Sequence, residues 1–167
     1  MKFCPRCGKP LGTRGEGGLA RAACLTPGCG FVHYDNPTPV VAAIVEHEGE
    51  VILVRAHGWP EKFFGLVTGF LERGEAPEQG ILREVNEELG LEGEIVRLVG
   101  AYGFEAMNQL IVAYHVRARG ELRLGDELAA FKHIAPEKLR AWDFGTGLAV
   151  ADWLAARALS APRTSPG

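Results

Sequence analysis

The segment from residue 77 to 89 constrains the fold more than any other part of the chain. Its apolar residues Ile81, Val85 and Leu89 recur at the spacing of one helical face, which is the pattern of a helix that buries one side. Gly90 follows directly and is a typical C-terminal stop, because glycine adopts a left-handed backbone without strain. The sequence therefore predicts a helix over 77–89 that packs against other elements through this stripe.

Strands are predicted on both sides of this helix. Apolar, β-branched runs indicate a hairpin across 40–56 and further strands at 65–70, 94–102 and 110–118. An Ala-rich segment, 147–160, predicts a second helix that packs through Leu148, Ala151, Leu154 and Ala158. Strands mixed with two helices on a single core favour an α/β or α+β sandwich. A chain of 167 residues is long enough for one such domain and a small appendage.

Three glutamates share another side of the first predicted helix. Glu84, Glu87 and Glu88 stand at i, i+3 and i+4, where like charges repel, and near the helix C-terminus, where the helix dipole opposes them. A charged helix face is most often only a solvated face, and that interpretation stays open. The Gly-bounded loop before the helix offers further oxygens, from the Gly69 carbonyl, Glu72 and Glu75. Because Mg²⁺ and Mn²⁺ prefer oxygen ligands and a cation would remove the repulsion, the cluster indicates a divalent metal site.

All four cysteines lie in the first 29 residues, as Cys4, Cys7, Cys24 and Cys29. The first pair has C-x2-C spacing and the second has C-x4-C spacing, and both fall within the spacings of tetrahedral four-cysteine zinc sites. A redox pair, or two unrelated pairs, is the alternative. Four thiolates would fill the coordination sphere of the zinc ion, so such a site is structural and has no open position for chemistry.

The chain is expected to divide into a zinc ribbon at 1–35, a main domain at 36–160 and a disordered tail at 161–167. Residues 11–23 are Gly-rich and are predicted to form a loop between the cysteine pairs, and residues 33–39 contain two prolines and predict an extended linker. No apolar run reaches the ~20 residues of a membrane span, and no signal-peptide pattern is present. We therefore expect no membrane partner and a cytoplasmic location.

The acidic helix and the loop before it resemble the signature of a known family. Gly69, Glu75 and the run 83–91 fit the Nudix box G-x5-E-x7-R-E-U-x-E-E-x-G-U, in which U is aliphatic, and all nine specified positions match. The resemblance implies an α/β fold, an α/β/α sandwich with a mixed sheet, preceded by the small zinc ribbon. It also implies a hydrolase that uses Mg²⁺ or Mn²⁺ to cleave nucleoside diphosphates linked to another moiety X.

The same resemblance assigns roles to individual residues. The box match implies Glu84, Glu87 and Glu88 as metal ligands, Glu75 as the loop glutamate, and Arg83 as the arginine that orients a box glutamate by ion pairing. The Gly69 carbonyl, as a metal ligand, and the loop glutamate Glu72 are further candidates from the loop. One carboxylate has to take a proton from the attacking water. Glu87 or Glu88 is the expected base, and Glu127 is a candidate base and ligand outside the box.

A four-cysteine ribbon ahead of a Nudix domain resembles two groups within the family, the NADH pyrophosphatases and a related group that acts on FAD and ADP-ribose. Residues 126–139 resemble a later strand segment of the NADH pyrophosphatases, in which Glu127 matches a catalytic-site glutamate. The chain departs from that group at 100–109, where the group has Ser-Gln-Pro-Trp-Pro-Phe-Pro and this sequence has GAYGFEAMNQ.

This departure favours an ADP-containing dinucleotide or nucleotide sugar as the substrate, with ADP-ribose or FAD preferred, cleaved to AMP and X-phosphate. NADH or NAD-capped RNA is the alternative. A nucleoside triphosphate hydrolase is disfavoured, because the ribbon arrangement resembles dinucleotide hydrolases. Residues 1–35 carry five lysines and arginines against two acidic residues, so a non-enzymatic alternative is that the ribbon binds nucleic acid or protein. Family members with this arrangement are commonly homodimers, which makes a second copy of the chain another candidate partner.

Side chains near the box are candidates for substrate contact. They are the aromatic residues Trp59, Phe63, Phe64, Tyr102 and Phe104, with Gln109 as a hydrogen-bonding group. Aromatic rings can stack on a base through their faces. The alternative is that these rings, which lie beside predicted strands, belong to the core.

Overall fold

The computed structural model describes residues 1–160, and the predicted tail at 161–167 lies outside them. The chain separates into two compact units, Met1–Asn36 and a larger unit that starts at Pro37. Each unit has a sheet of its own. No helix within residues 1–160 is long and apolar enough to cross a membrane.

The first unit is built on a three-stranded antiparallel sheet of β1 (Leu11–Glu16), β2 (Leu19–Cys24) and β3 (Val32–His33), in that order. The prediction of a loop across 11–23 is therefore wrong. Gly17 and Gly18 connect β1 to β2 with φ of 60° and 80°, the positive values that a two-residue hairpin turn requires. The glycines that suggested a loop thus make a tight turn between paired strands.

The second unit contains a six-stranded sheet. Its strands are β4 (Thr38–His47), β5 (Glu50–Ala56), β6 (Val67–Phe70), β7 (Glu92–Phe104), β8 (Gln109–Arg119) and β9 (Leu128–Ile134). They follow the order β7-β8-β4-β5-β9, and β6 pairs with β4. The hairpin and strands predicted from the sequence are all present. Strands β7 and β8 extend beyond their predicted ends because they pair with each other from the pair of Glu92 and Arg119 to the pair of Phe104 and Gln109.

Strand β4 organises this sheet. It runs parallel to β8 and antiparallel to β5 and β6, so the sheet is mixed. Val40, near the start of β4, pairs with Ile111 of β8 and with Phe70 at the end of β6. Phe104, the last residue of β7, pairs with Gln109, the first residue of β8. The starts of β4 and β8 and the ends of β6 and β7 therefore meet at one edge of the sheet.

Two helices cover the two faces of this sheet. Helix α1 (Pro77–Leu89) buries Ile81, Val85 and Leu89 in one core cluster, together with β4 residues such as Val41. Helix α2 (Gly147–Ser160) contributes to a second core cluster that contains the alternate β4 residues, such as Ile44. The predicted α/β/α sandwich with a mixed sheet is confirmed, and α1 has the bounds and the buried stripe that the sequence predicts.

The buried face of α2 differs from the prediction. Ala149, Val150 and Trp153 are buried, whereas Leu148 is exposed. The helix is apolar around most of its circumference, so its sequence has no polar side to mark the outer face. The face that it buries carries its bulkiest side chain, Trp153, which belongs to the second core cluster.

Candidate active site

A cleft with a volume of about 590 Å³ opens at the sheet edge where β4 and β8 begin. The first residues of these strands, Val40, Gln109 and Ile111, line it. Its charged lining consists of Glu72, Arg83, Glu84, Glu87 and Glu127, and its aromatic lining includes Trp59, Phe63, Phe104, Trp142 and Phe144. The cleft therefore combines groups that hold cations with rings that stack on planar ligands.

A smaller cavity of about 90 Å³ lies between the C-terminal half of α1 and the loop that precedes β9. Its lining includes Glu84, Glu87, Glu88, Asp126 and Glu127. The loop is held against the helix end because the amides of Arg123 and Gly125 donate to the carbonyls of Leu89 and Glu88, at 2.8 and 2.9 Å. The structure thus brings Glu127, which is distant in sequence, to the three helix glutamates.

Two glycines permit these close approaches. A Cβ at Gly69 would overlap the carboxyl group of Glu84, and a Cβ at Gly125 would overlap the carbonyl oxygen of Glu87. Gly69 is paired with Val41 in the sheet, so its position is fixed by the strands. The backbone of β6 and the side chain of Glu84 consequently lie in direct contact.

Arg83 binds three carboxylates at once. Its Nε and one terminal nitrogen donate to the two oxygens of Glu75, at 2.9 and 3.1 Å. Its other terminal nitrogen donates to Glu84 at 2.7 Å and to Glu87 at 2.8 Å. The hydrogen bond from Arg83 lowers the pKa of Glu75. The arginine therefore fixes the loop glutamate and two helix glutamates relative to one another.

Among the three helix glutamates, Glu88 has the environment that is least favourable for a charged carboxylate. Its Oε2 atom is buried and has no hydrogen-bond partner among the described residues. Burial, followed by the charges of Glu84, Glu127 and Glu87, raises the pKa of Glu88 to about 8. Burial also raises the pKa of Glu84. Ionising Glu84 and Glu88 in the folded protein therefore costs more free energy than ionising them in water.

The four cysteines of the first unit converge on one point, with their sulfurs all within 4.8 Å of one another. The Sγ–Sγ distances are 3.5 Å for Cys7–Cys24, 3.6 Å for Cys4–Cys29 and 3.7 Å for Cys7–Cys29. A tetrahedron with Zn–S bonds of about 2.3 Å has edges of about 3.8 Å. Gly8, directly after a cysteine, has a φ of 69°, as a tight knuckle turn requires. The arrangement fits a zinc ion.

The candidate substrate contacts divide between the cleft and the core. Trp59, Phe63, Phe104 and Gln109 line the cleft. Phe64 instead packs in the core on the α2 side with the Lys132 amine 4.2 Å from its ring centroid, and Tyr102 donates a hydrogen bond to Asp152 at 2.7 Å. Both lie outside the cleft lining. Both side chains pack on the face of the sheet that α2 covers, as the alternative of a core role predicts.

Sequence reasoning missed three aromatic residues of the cleft, Phe70, Trp142 and Phe144. Phe70 follows Gly69 of the box directly, and that neighbourhood is a signal that could have identified it. Trp142 and Phe144 lie in an irregular segment before α2, where no periodicity or motif marks them.

Comparison with known proteins identifies the family. The NUDIX domain model matches residues 36–153. The chain belongs to the Nudix family. It is similar to the NAD-capped RNA hydrolase NudC of Stutzerimonas stutzeri, at 28% identity over 71% of this chain and 42% of that protein. It is similar to the NudC of Mycobacterium bovis at 31% identity, over 79% of this chain and again 42% of that protein.

A solved structure is similar over nearly the whole chain. The crystal structure of a NUDIX hydrolase from Nitrosomonas europaea has a TM-score of 0.80 at 27% identity, and the match covers 97% of this chain and 95% of that one. The curated NudC proteins are longer, since this chain spans about two fifths of their length. The chain is thus a Nudix protein, related to NudC, with a four-cysteine cluster in its first unit.

The Nudix glutamates offer a donor set that fits a hard divalent cation. Glu88 has a buried oxygen without a partner, and carboxylates of Glu84, Glu87 and Glu127 line the same small cavity. Oxygen ligands of this kind suit Mg²⁺ and Mn²⁺. Among groups of three or more His, Cys, Asp or Glu residues within 1–160, only the four cysteines have ligand atoms that all lie within 4.8 Å of one another. The carboxylates that line the small cavity are more widely spaced, and two of them, Glu84 and Glu87, accept hydrogen bonds from Arg83.

In metal-free protein, we predict that Glu88→Gln makes stability less dependent on pH. Glu88 ionises near its ordinary value of 4.5 in the unfolded chain and near 8 in the folded protein. Between these values only the folded protein holds the extra proton, so the free energy of unfolding falls as pH rises. Melting temperatures of chelator-treated protein across this window should therefore fall more steeply for wild type than for the variant. Parallel profiles would contradict the burial of an ionisable Glu88, and Glu121→Gln, at an exposed site, is the control.

We predict that Cys24→Ser releases zinc and lowers the melting temperature. Cys24 is buried beside Cys7, and a serine hydroxyl is a poor replacement for a thiolate ligand, so the folding energy that the metal provides is lost. Metal analysis by mass spectrometry together with a thermal melt checks this. Ala20→Ser, at an exposed position on the same strand, should keep both properties. A wild-type protein purified without zinc would contradict the assignment.

Proposed function

We propose that this protein is a Nudix diphosphatase that uses Mg²⁺ or Mn²⁺ to cleave NAD(H)-type dinucleotides, free or as the 5′ cap of an RNA. The observation that carries the proposal is the carboxylate cluster of Glu84, Glu87, Glu88 and Glu127 beside a cleft that also holds aromatic rings. The relatives support this substrate class, because the matched NudC proteins are named NAD-capped RNA hydrolases. They favour it over ADP-ribose and FAD, which the sequence alone ranked first.

ADP-ribose and FAD stay as the second candidate because of residues 100–109, which lack the proline- and tryptophan-rich segment of the NADH pyrophosphatases. In this protein the stretch forms the end of β7, a 3₁₀ turn at Glu105–Met107 and the start of β8. Phe104, Met107 and Gln109 from this stretch line the cleft. The part of the cleft lining that would contact the X moiety therefore has a different sequence from the corresponding segment of the NADH pyrophosphatases.

The roles of the acidic residues follow from their positions. A divalent cation, when bound, neutralises charge on the phosphoryl oxygens and activates the attacking water. Glu84, Glu88 and Glu127 would hold it from the small cavity, where Glu84 lies against the backbone of Gly69. Glu87 is the best-placed base, since its side chain is 58% exposed and lines both cavities. Arg83 and Glu75 keep these carboxylates in place before substrate enters.

The first unit would serve as a structural zinc ribbon, on the sulfur geometry described above. It also carries a candidate contact for RNA, because the guanidinium of Arg21 lies 4.8 Å from the ring centroid of Tyr34, and basic and aromatic groups together suit single-stranded nucleic acid. A homodimer and a cytoplasmic location stay predictions from the sequence.

We predict that Glu87→Gln keeps the fold and lowers turnover by at least about 10²-fold, as loss of the base should. The exposed position of Glu87 means that the amide introduces no burial cost. Initial rates of NADH hydrolysis with Mg²⁺, together with circular dichroism, check this. Glu92→Gln is the matched control, because its side chain is 75% exposed and pairs with Arg119, outside both cavities. Near wild-type activity of the Glu87 variant would remove that residue from the site.

A chromatographic product assay should identify the substrate class. NADH, NAD-capped RNA, ADP-ribose, FAD and a nucleoside triphosphate are incubated with Mg²⁺ or Mn²⁺ and, separately, with chelator. We expect AMP and reduced nicotinamide mononucleotide from NADH, or nicotinamide mononucleotide and 5′-monophosphate RNA from the capped substrate, and no reaction with chelator. Faster turnover of ADP-ribose or FAD would favour the second candidate. Turnover of the triphosphate alone would contradict both.

A further inference from the structure

We propose that Phe144, supported from behind by Phe63, is the surface on which one planar ring of the dinucleotide stacks. This inference rests on the proposed function, since it takes the ligand of the cleft to be a dinucleotide. It adds a specificity residue outside the Nudix box and outside the candidate contacts that the sequence gives. The ring is either the adenine or the nicotinamide, because both present a flat π-face.

The geometry of the two rings supports this role. Phe144 and Phe63 are nearly parallel, with an interplanar angle of 19° and ring centroids 5.7 Å apart. Phe63 in turn contacts Trp59 at 5.1 Å with a tilt of 58°. All three residues line the cleft. One side of the Phe144 ring is therefore packed against an aromatic support, while 47% of the residue is exposed.

The backbone around Phe144 holds the ring in place. The amide of Gly147 donates to the carbonyl of Phe144 at 3.0 Å, which closes a turn. Gly145 follows with a φ of 51° and packs against the ring of Phe104. A Cβ at Gly147 would overlap the carbonyl of Trp142, so the segment is tightly folded. A ring that is fixed before the ligand arrives loses little conformational freedom on binding.

The core does not explain this arrangement. The neighbouring aromatic residues Phe64, Phe104 and Trp142 pack against the core cluster on the α2 side, whereas Phe144 belongs to neither core cluster. A large apolar ring that is half exposed inside a cleft is typical of a ligand surface. Since stacking needs only a π-face, the same surface would accept either ring of an NAD-type molecule.

Binding of the two halves of the dinucleotide tests the proposal without turnover. AMP carries the adenine and nicotinamide mononucleotide carries the other ring, and neither contains a diphosphate. Their affinities for chelator-treated protein are measured by calorimetry or by NMR titration. Phe144→Leu should weaken at least one of them by about 5-fold or more, the effect of losing one base stack, and Phe144→Tyr should restore it. Weakening of AMP alone assigns adenine, and weakening of the mononucleotide alone assigns nicotinamide.

The matched control is Phe131→Leu. Phe131 is also partly exposed, at 39%, but it lies on β9 and contacts His133 rather than the cleft. It should leave both affinities unchanged. With an active substrate, Phe144→Leu should raise KM with little change in kcat, because stacking remote from the phosphates is equal in the ground and transition states.

Two results of the binding experiment overturn the proposal. One is that wild-type protein binds neither half, and the other is that Phe144→Leu binds both as well as wild type does. Failure of the proposed function is a separate result, since it would be seen as absent hydrolysis of every dinucleotide while the Phe144 variants still differ in binding. Intact NADH hydrolysis with an unchanged KM in Phe144→Leu would overturn the stacking role alone.

Discussion

Helix α1 has to bury an apolar stripe and also carry three neighbouring glutamates, and the rest of the structure depends on how it does both. Its apolar stripe is fully buried against the sheet, which fixes the rotation of the helix. Glu84, Glu87 and Glu88 are then forced toward β6 and the loop before β9, whatever the cost in charge repulsion. The chain accommodates this with glycine at positions 69 and 125, where any side chain would overlap the helix. Packing therefore decides where the acidic cluster lies.

The electrostatics of the cluster are incomplete without a ligand. Arg83 is the only cation hydrogen-bonded to the box glutamates within the described chain, and it divides its donors among Glu75, Glu84 and Glu87. Glu88 receives none and keeps a buried oxygen without a partner. Proteins retain such locally unfavourable arrangements mainly where function needs them. A crowded acidic cluster beside a cleft therefore reduces stability where its carboxyl groups ionise, and it would favour the binding of a cation.

The parts of the fold that could be predicted are those with a local cause. Helix α1 was predictable because an apolar period and a glycine stop coincide, and the cysteine cluster because the spacing of metal ligands is short-range. The hairpin of β1 and β2 was not, since the same glycines occur in loops and in tight turns. The buried face of α2 was not, because nearly all its faces are apolar. Phe144 reaches the cleft only through the tertiary path of the segment before α2, which leaves no trace in sequence periodicity.

The sequence of residues 100–109 favours ADP-ribose or FAD, whereas the relatives favour an NAD-type substrate. The aromatic lining of the cleft makes the two observations compatible. The segment at 100–109 lacks the Pro-Trp-Pro run and contributes the Phe104 ring to the cleft, which also receives rings from Trp59 and Phe63 before β6 and from Phe144 before α2. If ring contacts come from there, the segment at 100–109 no longer has to supply them. An NAD-type substrate is then compatible with a β7–β8 connection made by the 3₁₀ turn at Glu105–Met107. Under the proposed function, the aromatic rings on the loops before β6 and α2 would contribute to substrate choice together with the residues of the β7–β8 segment that line the cleft.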